Sequence, residues 1–205
     1  MLEPVGFCPS GDFIHSSQEN VRETILHEIE PVWNEESRVL ILGTMPSPAS
    51  RNAGFFYMHP QNRFWKVVPG IFGETLKLPN NASDRLAAIQ ERREFLVRHN
   101  LALWDVLASC DIQGAADSSI KNAKPNDFTE IFEKSKIRHV FCTGKTSFNL
   151  WKKFCAAQYE ERFGLTCECL PSTSPANAAW SMERLVAEYK KICYHSRYDS
   201  DIRNK

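Results

Sequence analysis

The chain has 205 residues, of which 42% are apolar and 24% are charged, and this composition fits one globular domain rather than a disordered chain. Its 25 basic and 25 acidic residues cancel, which counts against a protein that coats nucleic acid non-specifically but permits a local grip on a few phosphates. No apolar run reaches the length of a membrane span, so we expect no membrane association.

The first 37 residues are acidic and differ from the rest of the chain. Eight acidic side chains stand there against one arginine, Arg22. We predict a helix over residues 18–32, and therefore a helical extension, residues 1–37, attached to a main domain, residues 38–205.

Apolar runs and helical patterns alternate along the main domain. The predicted strands are residues 38–43, 101–107, 139–143 and 165–170. The predicted helices are residues 84–98, 128–134, 146–162 and 178–194. This alternation predicts an α/β fold, a three-layer α/β/α domain with a central four-stranded parallel sheet. In such sheets ligands bind at the carboxyl ends of the strands, so the loops there are where we expect a site.

The segment after the first of these strands is the most distinctive in the sequence. Residues 43–65 read GTMPSPASRNAGFFYMHPQNRFW, which far exceeds the roughly 2–6 residues usual for such a connection. Residues 44–66 contain no acid, so this segment predicts a locally positive surface, with Arg51, His59, Arg63 and Lys66 as its cations. The alternative is a rigid structural loop whose aromatic rings pack on the core.

Two further segments follow predicted strands. Asp105 interrupts the apolar run 101–107, so it is either buried and paired or directed into a pocket. The polar segment 117–127 after it reads as a solvated loop. Residues 170–180, LPSTSPANAAW, combine small residues with a helix start, which suits close approach to a phosphate but also fits an ordinary capped turn.

The cysteines do not indicate a disulfide framework or a metal. There are seven, an odd number without framework spacing, which predicts reduced thiols in a cytoplasm. Cys167 and Cys169 have no second pair at ligand spacing, so we expect neither a metal nor a cofactor.

Four motifs together resemble the uracil-DNA glycosylase superfamily, and within it the hypoxanthine-DNA (DNA-deoxyinosine) glycosylase branch. They are GTMPS at 43–47, FYMHPQNRFW at 56–65, LWDVLASC at 103–110 and LPSTSPAN at 170–177. The second motif is the most specific, although the mismatch-specific uracil and thymine glycosylases share a similar string. The resemblance covers about residues 38–194, which makes 38–205 the expected glycosylase domain.

The resemblance implies a base pocket and a catalytic residue. The pocket residues would be Thr44, Met45, Phe56, Tyr57 and Asp105. The first motif lacks the Asp or Asn that usually activates water, which makes Asn62 the candidate catalytic residue, orienting a water through its amide oxygen. The alternative is that Asn62 only caps the following helix.

The resemblance also implies contacts with DNA outside the pocket. Side chains and N–H groups of the first and last motifs would bind the DNA backbone or fill the gap that the flipped base leaves in the duplex. These residues are Ser47, Ser172, Thr173, Ser174, Pro175, Ala176 and Asn177. Leu170 replaces the His or Asn that usually opens the last motif, so the usual stabiliser of the leaving base is missing there.

The implied function is that of a monofunctional repair glycosylase. It would flip a deaminated base, hypoxanthine above all, out of double- or single-stranded DNA and hydrolyse its glycosidic bond without a cofactor. We expect a monomer in the cytoplasm, at a bacterial or archaeal nucleoid. The alternatives are a uracil or mismatch-specific glycosylase, a non-catalytic module that binds damaged DNA, and an enzyme that hydrolyses free nucleotides.

Overall fold

A computed structural model describes residues 23–113 and 117–197. The strands are β1 Glu23–Leu26, β2 Val39–Gly43, β3 Leu101–Asp105, β4 Leu107–Ile112, β5 Lys121–Pro125, β6 His139–Thr143 and β7 Thr166–Leu170. The helices are α1 Pro48–Ala53, α2 Phe64–Ile71, α3 Arg85–Arg98, α4 Thr129–Lys134, α5 Lys145–Phe154, α6 Ala156–Phe163 and α7 Met182–Arg197.

A four-stranded parallel sheet forms the centre, in the order β3-β2-β6-β7. Its most buried strand, β2, has an uninterrupted apolar sequence because both of its faces are covered. Val39 and Ile41 pack in one core cluster with residues of α2, α3 and α7, whereas Leu40 and Leu42 pack in a second with residues of α4, α5 and α6. The predicted α/β/α fold with its four-stranded parallel sheet is confirmed.

A second, antiparallel sheet was not predicted. Its order is β1-β4-β5, and it continues directly from the central sheet, because only Val106 separates β3 from β4. The predicted strand 101–107 is therefore two strands of different sheets. The segment expected to be a solvated loop contains β5, which pairs with β4 through its backbone while its side chains stay mostly exposed.

The helix predicted over residues 18–32 is wrong wherever the structure describes it, and its first five residues lie outside the described ranges. Residues 23–26 form β1, and Val32 makes an antiparallel bridge with Leu103. Ile25, Ile29 and Val32 have the spacing of a helix face, and all three are buried. The backbone instead pairs with β4 and with β3, whose open edges offer hydrogen bonds, so tertiary contacts override the local pattern.

The remaining elements lie close to their predicted positions, with two exceptions. The helix predicted over 146–162 divides at Cys155 into α5 and α6. The long segment 43–65 contains the short helix α1, which the sequence did not predict, and leads straight into α2, the helix that the capping alternative for Asn62 requires. No helix among the described residues is long and apolar enough to cross a membrane.

Candidate active site

A cleft of about 640 Å³ opens at the carboxyl ends of the parallel strands. It is lined by residues 43–47, Ser50, Phe56, Tyr57, His59, Asn62, Asp105, Thr143 and residues 172–177. The structure thus brings together every site residue that the sequence suggested. The volume falls within the roughly 300–1,000 Å³ usual for small-ligand sites.

Asp105 lies in the cleft and is only 3% exposed. It stands beside Gly43 in the register of β2 and β3, and its Oδ1 lies 2.1 Å from where a Cβ on Gly43 would be. Glycine is therefore required at position 43 for the carboxylate to reach over β2. Asp105 Oδ1 has no hydrogen-bond partner within residues 23–113 and 117–197, so this oxygen is left to accept from a ligand.

The other oxygen of this carboxylate is held by His27, which sequence reasoning missed. His27 Nε2 lies 2.9 Å from Asp105 Oδ2, and the His27 side chain has no solvent exposure. The residue directly follows β1, and its backbone N–H donates to Ala108 O. One of the two histidines in an acidic segment gives no sequence signal for such a role, because the contact exists only once β1 has paired with β4.

Phe56 and Tyr57 form an aromatic wall. The Tyr57 ring stacks on Phe64 with a centroid separation of 4.0 Å, so only its other face is left for a flipped base. Its hydroxyl donates to Thr143 Oγ1 at 2.7 Å, because that oxygen donates its own hydrogen to Leu42 O. Burial, reinforced by the Asp105 charge, raises the pKa of Tyr57 well above its usual value, so the phenol stays a neutral donor.

A buried network fixes the backbone of this wall. Tyr57 has a φ of +56°, an unfavourable region for a residue other than glycine. Asn80 Nδ2 donates to the carbonyls of Tyr57 and His59, and Asn80 Oδ1 accepts from Arg92. Arg92 is 1% exposed, so the network is rigid and positions the aromatic wall before any ligand arrives.

Asn62 lies in the cleft with its amide orientation fixed. Asn62 Oδ1 accepts from the Phe64 N–H at 3.0 Å and from Thr173 Oγ1 at 2.9 Å. The helix-capping alternative is therefore present in the structure, and both lone pairs of the oxygen are engaged. In the described part of the chain no group bonds the Asn62 Nδ2, so this atom is the one that can reach a water or a ligand.

The loop 172–177 is organised by its own hydrogen bonds, which changes two predicted roles. Thr173 is 1% exposed, so its side chain is buried against Asn62 and is not available to fill a gap in DNA. The Ser174 N–H, expected to bind phosphate, already donates to Ser172 Oγ, and Ala176 N–H donates to Ser174 Oγ. Neither serine hydroxyl donates to another group within the described residues, so their predicted contacts with phosphate stay predictions, and Pro175 and Ala176 are the exposed tip.

Arg63 turns inward and holds this loop. Its guanidinium donates to the carbonyls of Thr173, Ser174, Asn177 and Trp180, with Nη2 at 2.9 Å from Ser174 O and 3.0 Å from Asn177 O. Arg63 is half-buried and its N–H donors are engaged by carbonyl oxygens, so they are not directed at DNA, and its contribution to a positive surface stays a prediction. This arrangement connects the segment that carries Asn62 to the tip of the loop 172–177.

The other predicted site residues, Ser47, Thr44 and Met45, also make contacts that stabilise the fold. Ser47 is the N-cap of α1, where its Oγ accepts from Ser50 N–H and donates to Ser50 Oγ. Thr44 is 8% exposed, and its carbonyl accepts from Leu107 N–H. Met45 is half-buried against the second core cluster. Their backbone groups line the cleft, so their predicted contacts with base and phosphate stay predictions.

We expect Arg63→Lys to lower the free energy of unfolding by about 2 kcal/mol, because one ammonium group cannot satisfy four carbonyls. Denaturant melts measure this effect. Arg98→Lys is the matched control, since Arg98 is exposed and keeps a partner in Glu74. Equal stability of the two variants would show that the Arg63 contacts do not hold the loop.

No group of three or more His, Cys, Asp or Glu side chains that could hold a metal ion occurs among the residues that the structure covers. The expectation of a metal-independent activity stays a prediction, and an assay in chelator tests it.

Comparison with known proteins links this cleft to DNA repair. The family model of the uracil DNA glycosylase superfamily matches residues 30–195. A hypoxanthine DNA glycosylase of Methanosarcina acetivorans is 30% identical over 167 residues, covering 80% of this chain and 95% of that protein. One from Methanosarcina barkeri is 31% identical over 137 residues, covering 66% and 82%. A solution NMR structure of a candidate uracil DNA glycosylase from Methanosarcina acetivorans, 25% identical, superposes with a TM-score of 0.67, covering 86% of this chain and 100% of that one.

Proposed function

Because the chain belongs to the uracil DNA glycosylase superfamily, we propose that it excises hypoxanthine from DNA by hydrolysing the N-glycosidic bond and leaves an abasic site. The superfamily and the two relatives support a DNA glycosylase. The choice of base is the finer step, and it draws on the names of the relatives and on the chemistry of the cleft.

The observation that carries this choice is the carboxylate of Asp105. A carboxylate accepts hydrogen bonds and does not donate unless it is protonated. Oδ1 of Asp105 is left to accept at the cleft, and the N1–H of hypoxanthine is a donor with a C–H on one side. The N3–H of uracil lies between two carbonyl oxygens, which a carboxylate repels. An amide at this position would present a donor as well as an acceptor, and its donor could pair with a carbonyl oxygen of uracil.

The loop 172–177 would contact the DNA around the flipped nucleotide. Flipping a nucleotide costs on the order of a few kcal/mol, and least at a weakened pair such as one containing inosine. Pro175 and Ala176, the exposed tip, would press into the gap that the base leaves. The hydroxyls of Ser172 and Ser174 would donate to flanking phosphates, since their oxygens already accept from backbone N–H groups.

Asn62 would act on the water. With Oδ1 engaged by Phe64 and Thr173, the amide positions water by donating from Nδ2 to the water oxygen, and not by accepting from it. An amide donor cannot deprotonate water, so the reaction depends on departure of the base, with positive charge developing on the sugar. The Asp105 carboxylate and the dipoles of the cleft provide the electrostatic surroundings for that charge.

A uracil or mismatch-specific glycosylase is the second candidate. The superfamily match and the NMR neighbour favour it, since the description of each names uracil DNA glycosylase.

A duplex panel tests the proposal. Each duplex has one labelled strand with a single deoxyinosine, deoxyuridine or deoxyxanthosine, and hot alkali cuts the strand wherever a base has been removed. We expect the fastest cleavage at deoxyinosine. Faster cleavage at deoxyuridine would replace hypoxanthine by uracil, and binding without cleavage of any strand would indicate a non-catalytic module.

We expect Asp105→Asn to change base choice more than it changes the fold. The amide adds a donor at the cleft, so the ratio of the inosine rate to the uracil rate should fall by about tenfold, roughly the effect of one hydrogen bond of 1.4 kcal/mol. Single-turnover rates on the two duplexes measure the ratio. An unchanged ratio with an unchanged inosine rate would make Asp105 a structural acid only.

A further inference from the structure

The segment before residue 30 contributes a buried contact to the base pocket. His27 lies outside the range that matches the family, residues 30–195, yet its ring packs 6.0 Å from Phe56 and 6.1 Å from Trp104. Its Nε2 is 2.9 Å from Asp105 Oδ2, and its Nδ1 is buried without a hydrogen-bond partner in the described residues. The ring therefore makes one polar contact, and that contact is with the pocket carboxylate.

The position of the ring is fixed by backbone pairing on both sides. Before it, β1 pairs with β4 from Glu23 to Leu26, and His27 N–H donates to Ala108 O at 2.8 Å. After it, Ile29 O accepts from Trp104 Nε1 and Val32 bridges to Leu103. The backbone of His27 therefore cannot move away from the pocket without breaking this pairing, and the ring is held by its contacts with Phe56 and Trp104.

The geometry points to His27 as a specificity-determining positioning residue, which holds the Asp105 carboxylate with Oδ1 toward the cleft as an acceptor and so biases the pocket toward a base whose N–H does not lie between two carbonyls. The inference rests on the proposed function. His27 reaches no substrate, because Asp105 lies between it and the cleft and His27 does not line the cleft. It therefore acts through Asp105 and is not a catalytic residue.

The chemical reason is the low exposure of Asp105. A buried carboxylate is costly as an ion unless donors compensate for lost water, and His27 Nε2–H is the side-chain donor that the described residues provide to it. With that donor in place, Oδ2 is engaged and Oδ1 faces the ligand as an acceptor. Without it, the carboxylate loses the side-chain contact that fixes its orientation, so Oδ1 is no longer held toward the cleft and the preference falls.

The test compares two replacements of His27. His27→Gln keeps an N–H donor at a reach similar to Nε2, whereas His27→Phe keeps the ring and loses the donor. Single-turnover rates on inosine and uracil duplexes give the ratio for each variant, alone and combined with Asp105→Asn. Ile29→Ala is the matched control, because it weakens the packing of the same segment without touching the carboxylate.

We expect His27→Phe to lower the inosine-to-uracil ratio by about tenfold and His27→Gln to stay within about threefold of wild type. In the Asp105→Asn background, His27→Phe should change the ratio by less than about twofold, because two residues that act as one unit are not additive. Ile29→Ala should lower the melting temperature and leave the ratio unchanged.

Any of four results would overturn the inference. Among the single variants, these are a wild-type inosine-to-uracil ratio in His27→Phe, a fall of that ratio in His27→Gln as large as in His27→Phe, or a changed ratio in Ile29→Ala. The fourth is a fall of the ratio by about tenfold when His27→Phe is added to Asp105→Asn. Failure of the proposed function looks different. A wild-type chain that cuts neither duplex, before any variant is compared, overturns the proposed function and this inference with it.

Discussion

Asn62→Ala should lower the single-turnover rate on an inosine duplex by about 100- to 1,000-fold, the usual effect of removing one positioned polar group at a reacting centre. The variant loses the Nδ2 donor that we assign to the water. It also loses the acceptor for Phe64 N–H and Thr173 Oγ1, which should cost about 1 kcal/mol of stability as for a helix cap. The rate is measured with enzyme in excess, beside thermal melting and DNA affinity.

Asp84→Ala separates the two roles of Asn62. Asp84 is the N-cap of α3, accepts from Ala87 N–H at 2.9 Å and lies outside the cleft, so its loss should also cost about 1 kcal/mol. We expect wild-type rates from this control. If Asn62→Ala remains within about threefold of the wild-type rate, the water is held elsewhere and Asn62 is a cap alone.

Gly43→Ala should lower the same rate by about 100-fold, because a displacement of reacting groups by about 1 Å has effects of this size. The new Cβ would stand 2.1 Å from Asp105 Oδ1 and 2.9 Å from the Tyr57 hydroxyl, so at least one of them must move. Overpacking of this kind typically costs about 1–3 kcal/mol of stability. Rates and melting temperatures together measure both effects.

Gly70→Ala is the control for the backbone change. Gly70 lies in α2, and a Cβ there meets nothing within 4 Å, so we expect wild-type rates and equal or higher stability. Repeating Gly43→Ala in an Asp105→Ala background locates the clash. With the carboxylate gone, the additional loss of rate should shrink to a few-fold at most, and an undiminished loss would place the damage elsewhere.

The sequence predicted the central sheet well because its strands carry their own signal. The runs that became β2 and β6 are continuous and apolar, as strands buried on both faces must be. The antiparallel sheet carries no such signal. β5 reads KNAKP and is held by backbone bonds to β4, and β1 pairs over a segment whose apolar spacing suits a helix.

The candidate site was predicted as a set of residues but not as a set of contacts. Motif order placed Asn62 in the loop after one strand and Asp105 at the end of the next, and both line the cleft. Which atoms stay available depends on partners distant in sequence. Thr173, 111 residues away, occupies Asn62 Oδ1, and His27, 78 residues away, occupies Asp105 Oδ2. The inward turn of Arg63 likewise depends on carbonyls of the loop 172–177 and on Trp180 O.

The central claim is that this cleft releases hypoxanthine as a free base, and mass spectrometry of the reaction products tests it most directly. A duplex with one deoxyinosine is incubated with excess enzyme, and free hypoxanthine and abasic sites are both quantified. We predict one hypoxanthine for each abasic site, at a rate that Asn62→Ala reduces at least 100-fold. Two results would contradict this claim. One is binding of the duplex without release of free base, and the other is release of hypoxanthine by Asn62→Ala at the wild-type rate.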